Sequence, residues 1–379
     1  MSRRFSWTFD RRLSRRDLLQ GASAGVAASF AAPLLSALKV PEAAAAPLPA
    51  FPQAQGPTGN ASIDPDHIFI PHRVENPVTV VTEPVIGSNI PVQLTYVEMV
   101  DGVYAPIGIR KPAGNGPFPF VVFCHMNGGM GTQWIREWTQ YGSGTLEQFL
   151  NAGYAVAWTR YRAEVNDSYG PKLTERTRQG RGLFNRGPLE YDDTISIIKY
   201  VKTLRYVDPD RVGYAGVSHG GESLLKICSE YEGLRCGIAN EPAAGDYLAV
   251  RPNPPRPAGT PAPPPTPETY PELPEARLRE MVTALRARLD TPVTMQRINA
   301  IKTPLMIQGR DRDHNQHTFR LVYELLRDAG KQVEWKSYDH EEHGFLFIRR
   351  NERGVYAPDP LQTQIVRDSL AFMDRYLKA

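Results

Sequence analysis

The sequence feature that most constrains the fold is a serine between two glycines, where a short apolar run meets a helical segment. Gly216, Ser218 and Gly220 form a G-x-S-x-G string. Residues 212–215 before it are typical of a buried strand, and residues 222–227 after it are typical of a helix. A sharp turn from strand to helix needs small residues on both sides and raises the serine hydroxyl above the sheet edge. The string therefore predicts a nucleophile at Ser218, with a tight packing turn as the alternative.

Apolar runs of strand length alternate with helical segments along most of the chain. The predicted strands are 118–124, 154–159, 237–240, 304–308 and 333–338, and the predicted helices are 145–151, 190–204, 275–289, 318–330 and 361–377. Before them, residues 78–111 alternate apolar and polar positions around two turn signals. This alternation predicts an α/β fold with a mostly parallel central sheet flanked by helices.

The chain has 379 residues, which suits one large α/β domain over residues 78–379. Residues 47–77 are Pro-rich and aperiodic and are expected to form an N-terminal tail. Eleven prolines fall within residues 251–274, between two predicted strands. Because proline lacks the donor that a β-ladder needs, we interpret residues 251–300 as an insert. A solvated spacer and a lid over the strand ends are both open interpretations.

The first 46 residues have the pattern of an export signal. Residues 14–20 read Ser-Arg-Arg-Asp-Leu-Leu-Gln, a weakly apolar stretch follows at 18–38, and four alanines stand at 43–46. This predicts a cleaved twin-arginine signal peptide over 1–46, the twin-arginine export machinery as a partner, and a periplasmic or secreted protein. The alternative is an N-terminal membrane anchor. The Gly, Ser and Pro content of the stretch argues against stable membrane insertion.

Charge and cysteine content exclude several classes of function. Seven of the 44 Lys/Arg and three of the 41 Asp/Glu lie in the signal, so the remainder has a net charge of −1. Nothing in this balance favours nucleic-acid binding. Three cysteines are too few for a disulfide scaffold. Cys228 and Cys236 are close enough in sequence to pair in an oxidising compartment, whereas Cys124 lies in a core strand.

A serine nucleophile needs a histidine base and an acid that orients it. In a fold that carries the nucleophile on a strand–turn–helix elbow, the chain order is serine, acid, histidine. Two strand ends after Ser218 offer these groups. Asp311 and Asp313 follow the strand at 304–308, and His343 follows the strand at 333–338. Glu241 and Asp246 are alternative acids after an earlier strand, and His340 is an alternative histidine.

Together these residues make the chain resemble α/β hydrolases of the prolyl oligopeptidase and dienelactone hydrolase type. The resemblance covers about residues 95–378 and rests on residues 207–218, 309–311 and 343–345. It implies an α/β-hydrolase fold and a Ser-His-Asp triad.

The resemblance also implies which residues form the triad. The 32 residues from Asp311 to His343 resemble the spacing in that group and favour Asp311 over Asp313. The Gly-Phe after His343 favours it over His340. The expected triad is therefore Ser218, Asp311 and His343.

The oxyanion hole of this fold uses two backbone amides. One is the amide of His219, at the start of the helix after the nucleophile. The loop at 124–129, Cys-His-Met-Asn-Gly-Gly, is similar to the His-Gly-x-Gly loop of these hydrolases, although Met126 stands in place of a glycine. Between Met126 and Asn127, we expect Asn127 to be the second donor. The alternative is a glycine turn with no catalytic part.

The expected function is an exported serine hydrolase that cleaves carboxylic esters, of small molecules or polymers, through an acyl-enzyme. A serine peptidase is the first alternative, although the short tail cannot build the β-propeller that many such peptidases carry. A binding protein on an inactive hydrolase fold is the second, although all three triad positions are present. No cofactor or metal is expected, since the acidic and histidine residues at 311–317 lack a recognised metal-ligand spacing. The basic loop at 172–186 could meet an anionic substrate, but such a run is more often simply solvated. Trp134, Trp138 and Tyr141 could line a pocket for an apolar or aromatic group, and core packing explains them equally well.

Overall fold

The computed structural model describes residues 81–100, 102, 104–126, 137–159, 161, 188–253, 259, 264–349 and 355–379. The chain divides into two units, and all of these residues belong to the second, Ser62–Ala379. The expected signal peptide (1–46), the Pro-rich tail (47–77), Asn127, Trp134 and the basic loop lie outside the described residues. Within the described part, no helix has the length and apolar character that crossing a membrane requires.

Nine strands of the described chain form one sheet in the order β1-β2-β3-β5-β4-β6-β7-β8-β9. The strands are β1 Val81–Glu83, β2 Val92–Glu98, β3 Tyr104–Arg110, β4 Phe118–Cys124, β5 Ala155–Thr159, β6 Val207–Val217, β7 Cys236–Asn240, β8 Leu305–Arg310 and β9 Val333–Tyr338. The pairs β1–β2, β2–β3 and β3–β5 are antiparallel. All pairs from β5 to β9 are parallel. This confirms the predicted α/β fold with a mostly parallel sheet.

Helices lie between the parallel strands, and a further helix follows the last strand. They are α1 Gly144–Asn151, α2 Pro188–Val201, α3 His219–Glu230, α4 Glu275–Arg286, α5 Thr291–Ala300, α6 Gln316–Asp328 and α7 Pro360–Leu377. The sheet is buried on both faces. In β4, Phe120 and Val122 pack in one apolar cluster and Val121 and Phe123 in another. Alternate residues of a strand point to opposite faces, so the clusters are the two layers between sheet and helices.

One helix of the insert region was not predicted. Helix α5 begins after Asp290, whose side chain accepts a hydrogen bond from the amide of Val293 at 3.4 Å. Thr294 and Ile298 are its buried residues. With so few apolar positions facing the core, the 3.6-residue periodicity is too weak to detect. The capping aspartate followed by proline was the available signal.

The three cysteines are buried and free. Burial raises the pKa of Cys124 and of Cys228 to about 12. These thiols therefore act as core residues rather than as nucleophiles.

Candidate active site

Ser218 lies on a strained turn between β6 and α3, as the G-x-S-x-G string predicts. Its φ of 56° and ψ of −111° fall in a region that residues with side chains rarely adopt. A Cβ on Gly216 would clash with the backbone of Gly220, and a Cβ on Gly220 would clash with the backbone of Cys124 at the end of β4. Both glycines are therefore required for the turn to pack against the neighbouring strand.

Backbone hydrogen bonds hold this turn against the end of β7. The Ser218 amide donates to the Asn240 carbonyl at 2.8 Å, and the Ser218 carbonyl accepts from the Ala243 amide at 3.2 Å. The Ser218 side chain makes no capping hydrogen bond to the described helix α3. The hydroxyl is thus not used in capping, and the amides of the first turn of α3, beginning with His219, lie where negative charge is stabilised.

His343 lies in the loop after β9, and the next residue brings this loop to the nucleophile turn. Gly344 has a φ of 79°, and a Cβ there would lie 3.4 Å from Val217 Cγ1 and would clash with Met126 Cε. Val217 directly precedes Ser218, and Met126 follows β4 in the expected oxyanion loop. The histidine loop therefore packs over the ends of β6 and β4.

The carboxylate that faces His343 belongs to Asp313, and this corrects the expectation of Asp311. His343 Nδ1 lies 3.4 Å from Asp313 Oδ2. Asp313 is fully buried, whereas Asp311 is exposed and its amide donates to the Tyr338 carbonyl at 2.9 Å. Asp246, another alternative acid, is also exposed and lies 3.2 Å from Lys226.

A tight turn explains why Asp313, and not Asp311, faces His343. The Asp313 amide donates to the Arg310 carbonyl at 3.2 Å, so the chain reverses directly after β8. Asp313 Oδ1 accepts from the Asn315 amide at 2.6 Å, which orients the carboxylate just before α6 begins at Gln316. Asp311 lies at the outside of this turn. The sequence signal for Asp313 was the Asp-x-Asn motif directly before a helix. The number of residues between acid and histidine, on which the expectation of Asp311 was based, does not detect this motif.

A second acid, Glu241, lies at the same histidine. Its Oε1 lies 3.5 Å from His343 Nδ1, and its Oε2 accepts from the Gly344 amide at 2.6 Å. The buried Arg310 guanidinium joins the two acids, since its Nε donates to Glu241 Oε1 at 2.6 Å and to Asp313 Oδ2 at 3.0 Å. Within the described residues, Glu241, Asp313 and His343 form the one cluster whose donor atoms are close enough for a metal. Arg310 already supplies the positive charge between the two carboxylates, so we assign the cluster to the orientation of His343.

The acids set the protonation of His343. Burial alone would lower the pKa of His343, but its hydrogen bonds to Asp313 and Glu241 and their negative charges raise it to about 10. Burial would raise the pKa of Asp313, yet the His343 hydrogen bond and the Arg310 charge lower it below its usual value. The cluster therefore favours a protonated imidazole beside ionised carboxylates.

The side chain of His219 has a partner that the sequence did not indicate. His219 Nε2 lies 3.0 Å from Glu190 Oε2, in the first turn of α2, and both groups are buried. The His219 ring also makes an edge contact with Tyr161, with ring centres 5.0 Å apart. These contacts fix the residue whose amide is the expected oxyanion donor. A glutamate at a helix start is an ordinary surface feature, so no sequence signal distinguished Glu190.

Other candidate residues have structural contacts. His340 Nε2 lies 2.8 Å from Asp359 Oδ2, at the start of α7, and its ring stacks on Phe345. Trp138 is buried against Trp158 and Phe347, as in a core. His314 Nδ1 lies 2.9 Å from the Glu268 carbonyl.

Solved structures of several hydrolases are similar to this chain. Brefeldin A esterase, a bacterial homologue of human hormone-sensitive lipase, is 16% identical with a TM-score of 0.50, and the match covers 82% of each chain. Another esterase is 17% identical with a TM-score of 0.50, over 78% of this chain and 82% of that one. The acylaminoacyl peptidase of Pyrococcus horikoshii is 16% identical with a TM-score of 0.49, over 77% of this chain. This chain spans only 42% of that peptidase. At these identities, the esterase matches show the α/β-hydrolase fold alone.

A match to a family model identifies the family of the chain, which a shared fold alone does not. The model of the prolyl oligopeptidase family matches residues 140–379, more than half of the chain. That range contains Ser218, Glu241, Asp313 and His343. The chain therefore belongs to the prolyl oligopeptidase family and is a serine hydrolase.

Proposed function

We propose that the protein is an exported hydrolase of carboxylic esters, with Ser218 as nucleophile, His343 as base and Asp313 as the acid that orients it. The observation that carries this proposal is the strained turn at Ser218 beneath a histidine loop whose imidazole faces buried carboxylates. The family membership makes the chain a serine hydrolase. The ester preference and the individual roles are our proposal.

The geometry supports a two-stage reaction. The Ser218 hydroxyl attacks the ester carbonyl and forms the new carbon–oxygen bond while His343 accepts the hydroxyl proton. The amides at the start of α3 stabilise the oxyanion, with Asn127 proposed as the second donor. His343 then protonates the leaving alcohol, and water repeats these steps on the acyl-enzyme to release the acid. Asp313 stabilises the imidazolium in both stages.

Acylation of Ser218 is tested with a fluorophosphonate probe. We expect the wild-type protein to be labelled at Ser218, and Ser218→Ala to lose both the label and hydrolysis. Asp311→Asn is the matched control, because this carboxylate lies two residues from Asp313 on the exposed side of the turn. Labelling that persists in Ser218→Ala would reject the nucleophile.

A peptidase is the second candidate function, since the family is named for a peptidase. Esters are favoured by the match to brefeldin A esterase, of which 82% is covered. Nitrophenyl esters of graded acyl length, measured beside aminoacyl anilides, separate the two functions. We expect the rate enhancement, which is kcat/KM divided by the rate constant of spontaneous hydrolysis, to be far higher for the esters than for the anilides. Efficient anilide cleavage would make the peptidase the better assignment.

A further inference from the structure

Two carboxylates from different strands face one nitrogen of His343. Asp313 Oδ2 lies 3.4 Å and Glu241 Oε1 lies 3.5 Å from Nδ1. Neither carboxylate is exposed to solvent. A triad of this type needs only one acid at this nitrogen.

The backbone around Glu241 holds its side chain in this place. Glu241 directly follows β7 and has a φ of 48°, a conformation that disfavours a residue with a side chain. Its amide donates to the Gln308 carbonyl of β8 at 2.7 Å. Its Oε2 accepts from the Gly344 amide at 2.6 Å, next to His343. Glu241 is thus attached both to the strand that precedes Asp313 and to the histidine loop.

The charges of the cluster balance when His343 is protonated. Asp313 and Glu241 supply two negative charges, and Arg310 supplies one positive charge between them. With a neutral imidazole, the buried groups carry one net negative charge, and with an imidazolium they are neutral. Arg310 allows both acids to be ionised, because two adjacent buried carboxylates would otherwise share a proton.

We propose that Glu241 is a second positioning residue for the base, sharing the Nδ1–H of His343 with Asp313 so that two acids orient one imidazole. The inference rests on the proposed function. Either carboxylate can accept the hydrogen bond from Nδ1, so each partly replaces the other. Removal of a single acid therefore leaves the imidazole in the correct tautomer.

Three variants test the sharing: Asp313→Asn, Glu241→Gln and the double variant. In a well-studied single-acid triad, the Asp-to-Asn change lowers kcat by about 10⁴-fold. We expect each single variant to lose about 10- to 100-fold and the double variant to approach the full 10⁴-fold loss. A full loss in Asp313→Asn, with no further loss on adding Glu241→Gln, would overturn the proposal. Fluorophosphonate labelling of wild-type Ser218 tests the underlying function separately.

The pH profile of activity distinguishes positioning of the His343 base by Glu241 from a purely structural role of Glu241. Glu241→Gln keeps an oxygen for the Gly344 amide but removes the charge beside the imidazole. Asp313 is then the remaining carboxylate that faces His343, and Arg310 stays bound to Asp313. We expect the midpoint of kcat/KM against pH to fall in Glu241→Gln and to be restored in part by Glu241→Asp.

Glu342→Gln is the control for this measurement, because it removes the same charge from an exposed residue next to His343. Its midpoint should stay at the wild-type value. If Asp313→Asn does not fold, the midpoint of Glu241→Gln decides the question alone. An unmoved midpoint would leave Glu241 as a partner of Arg310 and the Gly344 amide only.

Discussion

At the scale of single residues, the protonation of His343 links the buried cluster to the pH dependence of activity. In the proposed mechanism, only the neutral imidazole of His343 accepts the Ser218 proton. Asp313 and Glu241 raise the pKa of His343 to about 10 despite its burial, which favours the imidazolium over the neutral ring. We expect kcat/KM for a small ester to rise from about pH 6 to pH 10, after subtraction of spontaneous hydrolysis. A plateau that begins below neutral pH would contradict this.

The same shift has a consequence for stability. The folded-state pKa of His343 lies above its usual value of 6.5. Its stabilising contribution to folding is therefore fully present below pH 6.5. This contribution is lost as the pH rises through about 10. Asp313 has a lowered pKa, so its contribution is present above its usual pKa of 3.8 and is lost as the pH falls further. We expect the loss of Tm on the alkaline side to be smaller in His343→Gln than in the wild type.

Gly344 is the residue at which conformation and close approach both require glycine. Its φ is 79°, and a Cβ would meet Met126. We expect Gly344→Ala to shift His343 and lower kcat by at least 10-fold, since displacement of a reacting group by 1 Å costs about 10²-fold. Gly330→Ala is the matched control, with a φ of 69° and no neighbour within 4 Å of an added Cβ. Both variants should lose stability in thermal unfolding because of the positive φ, and Gly344→Ala should lose more because of the contact with Met126. Equal activities of the two variants would contradict the prediction.

Residue-level patterns in the sequence indicated some residues of this candidate site and not others. Ser218 was identifiable because the glycines around it and the strand–helix change are local. His343 was favoured over His340 by the glycine after it, which the structure uses for close packing. Asp311 was preferred over Asp313 because a count of residues does not reveal that the turn from Arg310 reverses the chain. Glu241 was only a rival acid, since its contact with His343 depends on the order of strands.

At the scale of elements, four neighbouring parallel strands supply the site. The strands β6, β7, β8 and β9 are adjacent in that order, and Ser218, Glu241, Asp313 and His343 follow them in turn. Strands β4 and β9 begin and end as predicted: β4 is a buried apolar run, and β9 alternates apolar and polar residues along the edge of the described sheet. Sequence periodicity predicts that such strands exist but not which of them are neighbours. The combination of two acids at one histidine was therefore beyond reach of the sequence.

The end of the Pro-rich insert contacts the acid turn. Thr269 forms a β-bridge with Asp313, and the Tyr270 amide donates to the Arg312 carbonyl at 2.7 Å. The Thr269 hydroxyl accepts from Arg310 Nη1 at 2.8 Å and donates to the Glu341 carbonyl at 3.2 Å. These residues therefore brace the loops that carry Asp313 and His343, so at this end the insert is more than a solvated spacer.

The contact between Thr269 and Arg310 can be tested separately from the rest of the insert. We expect Thr269→Val to lower kcat severalfold for small and bulky esters alike, because Arg310 loses a hydrogen-bond partner beside both acids. Thr266→Val, at an exposed position, is the matched control and should leave kcat unchanged.

A Gly/Ser replacement of residues 254–266 at equal length tests the rest of the insert. We expect it to change the preference for bulky esters while small esters are hydrolysed as before, because the bracing residues remain. An unchanged substrate profile would indicate that these residues are only a spacer.

At the scale of the whole molecule, the charge of the chain is unevenly distributed. The formal net charge of +3 arises from the first 46 residues, while residues 47–379 carry a net charge of −1. This concentration of basic charge agrees with our proposal that residues 1–46 are an export signal. The family match covers residues 140–379 and does not indicate where in the cell the protein acts. Localisation therefore rests on the N-terminal sequence alone.

Export through the twin-arginine route predicts dependence on Arg15 and Arg16. These residues precede the Asp-Leu-Leu of residues 17–19, and lysine keeps their charge but not the side chain that a receptor reads. Replacement of both by lysine should leave the full-length precursor inside the cell. The chain offers an internal control, since Arg11 and Arg12 form another pair outside the recognised string. Their replacement by lysine should leave export intact. Export that survives the change at 15 and 16, measured by fractionation and precursor size, would point to another route.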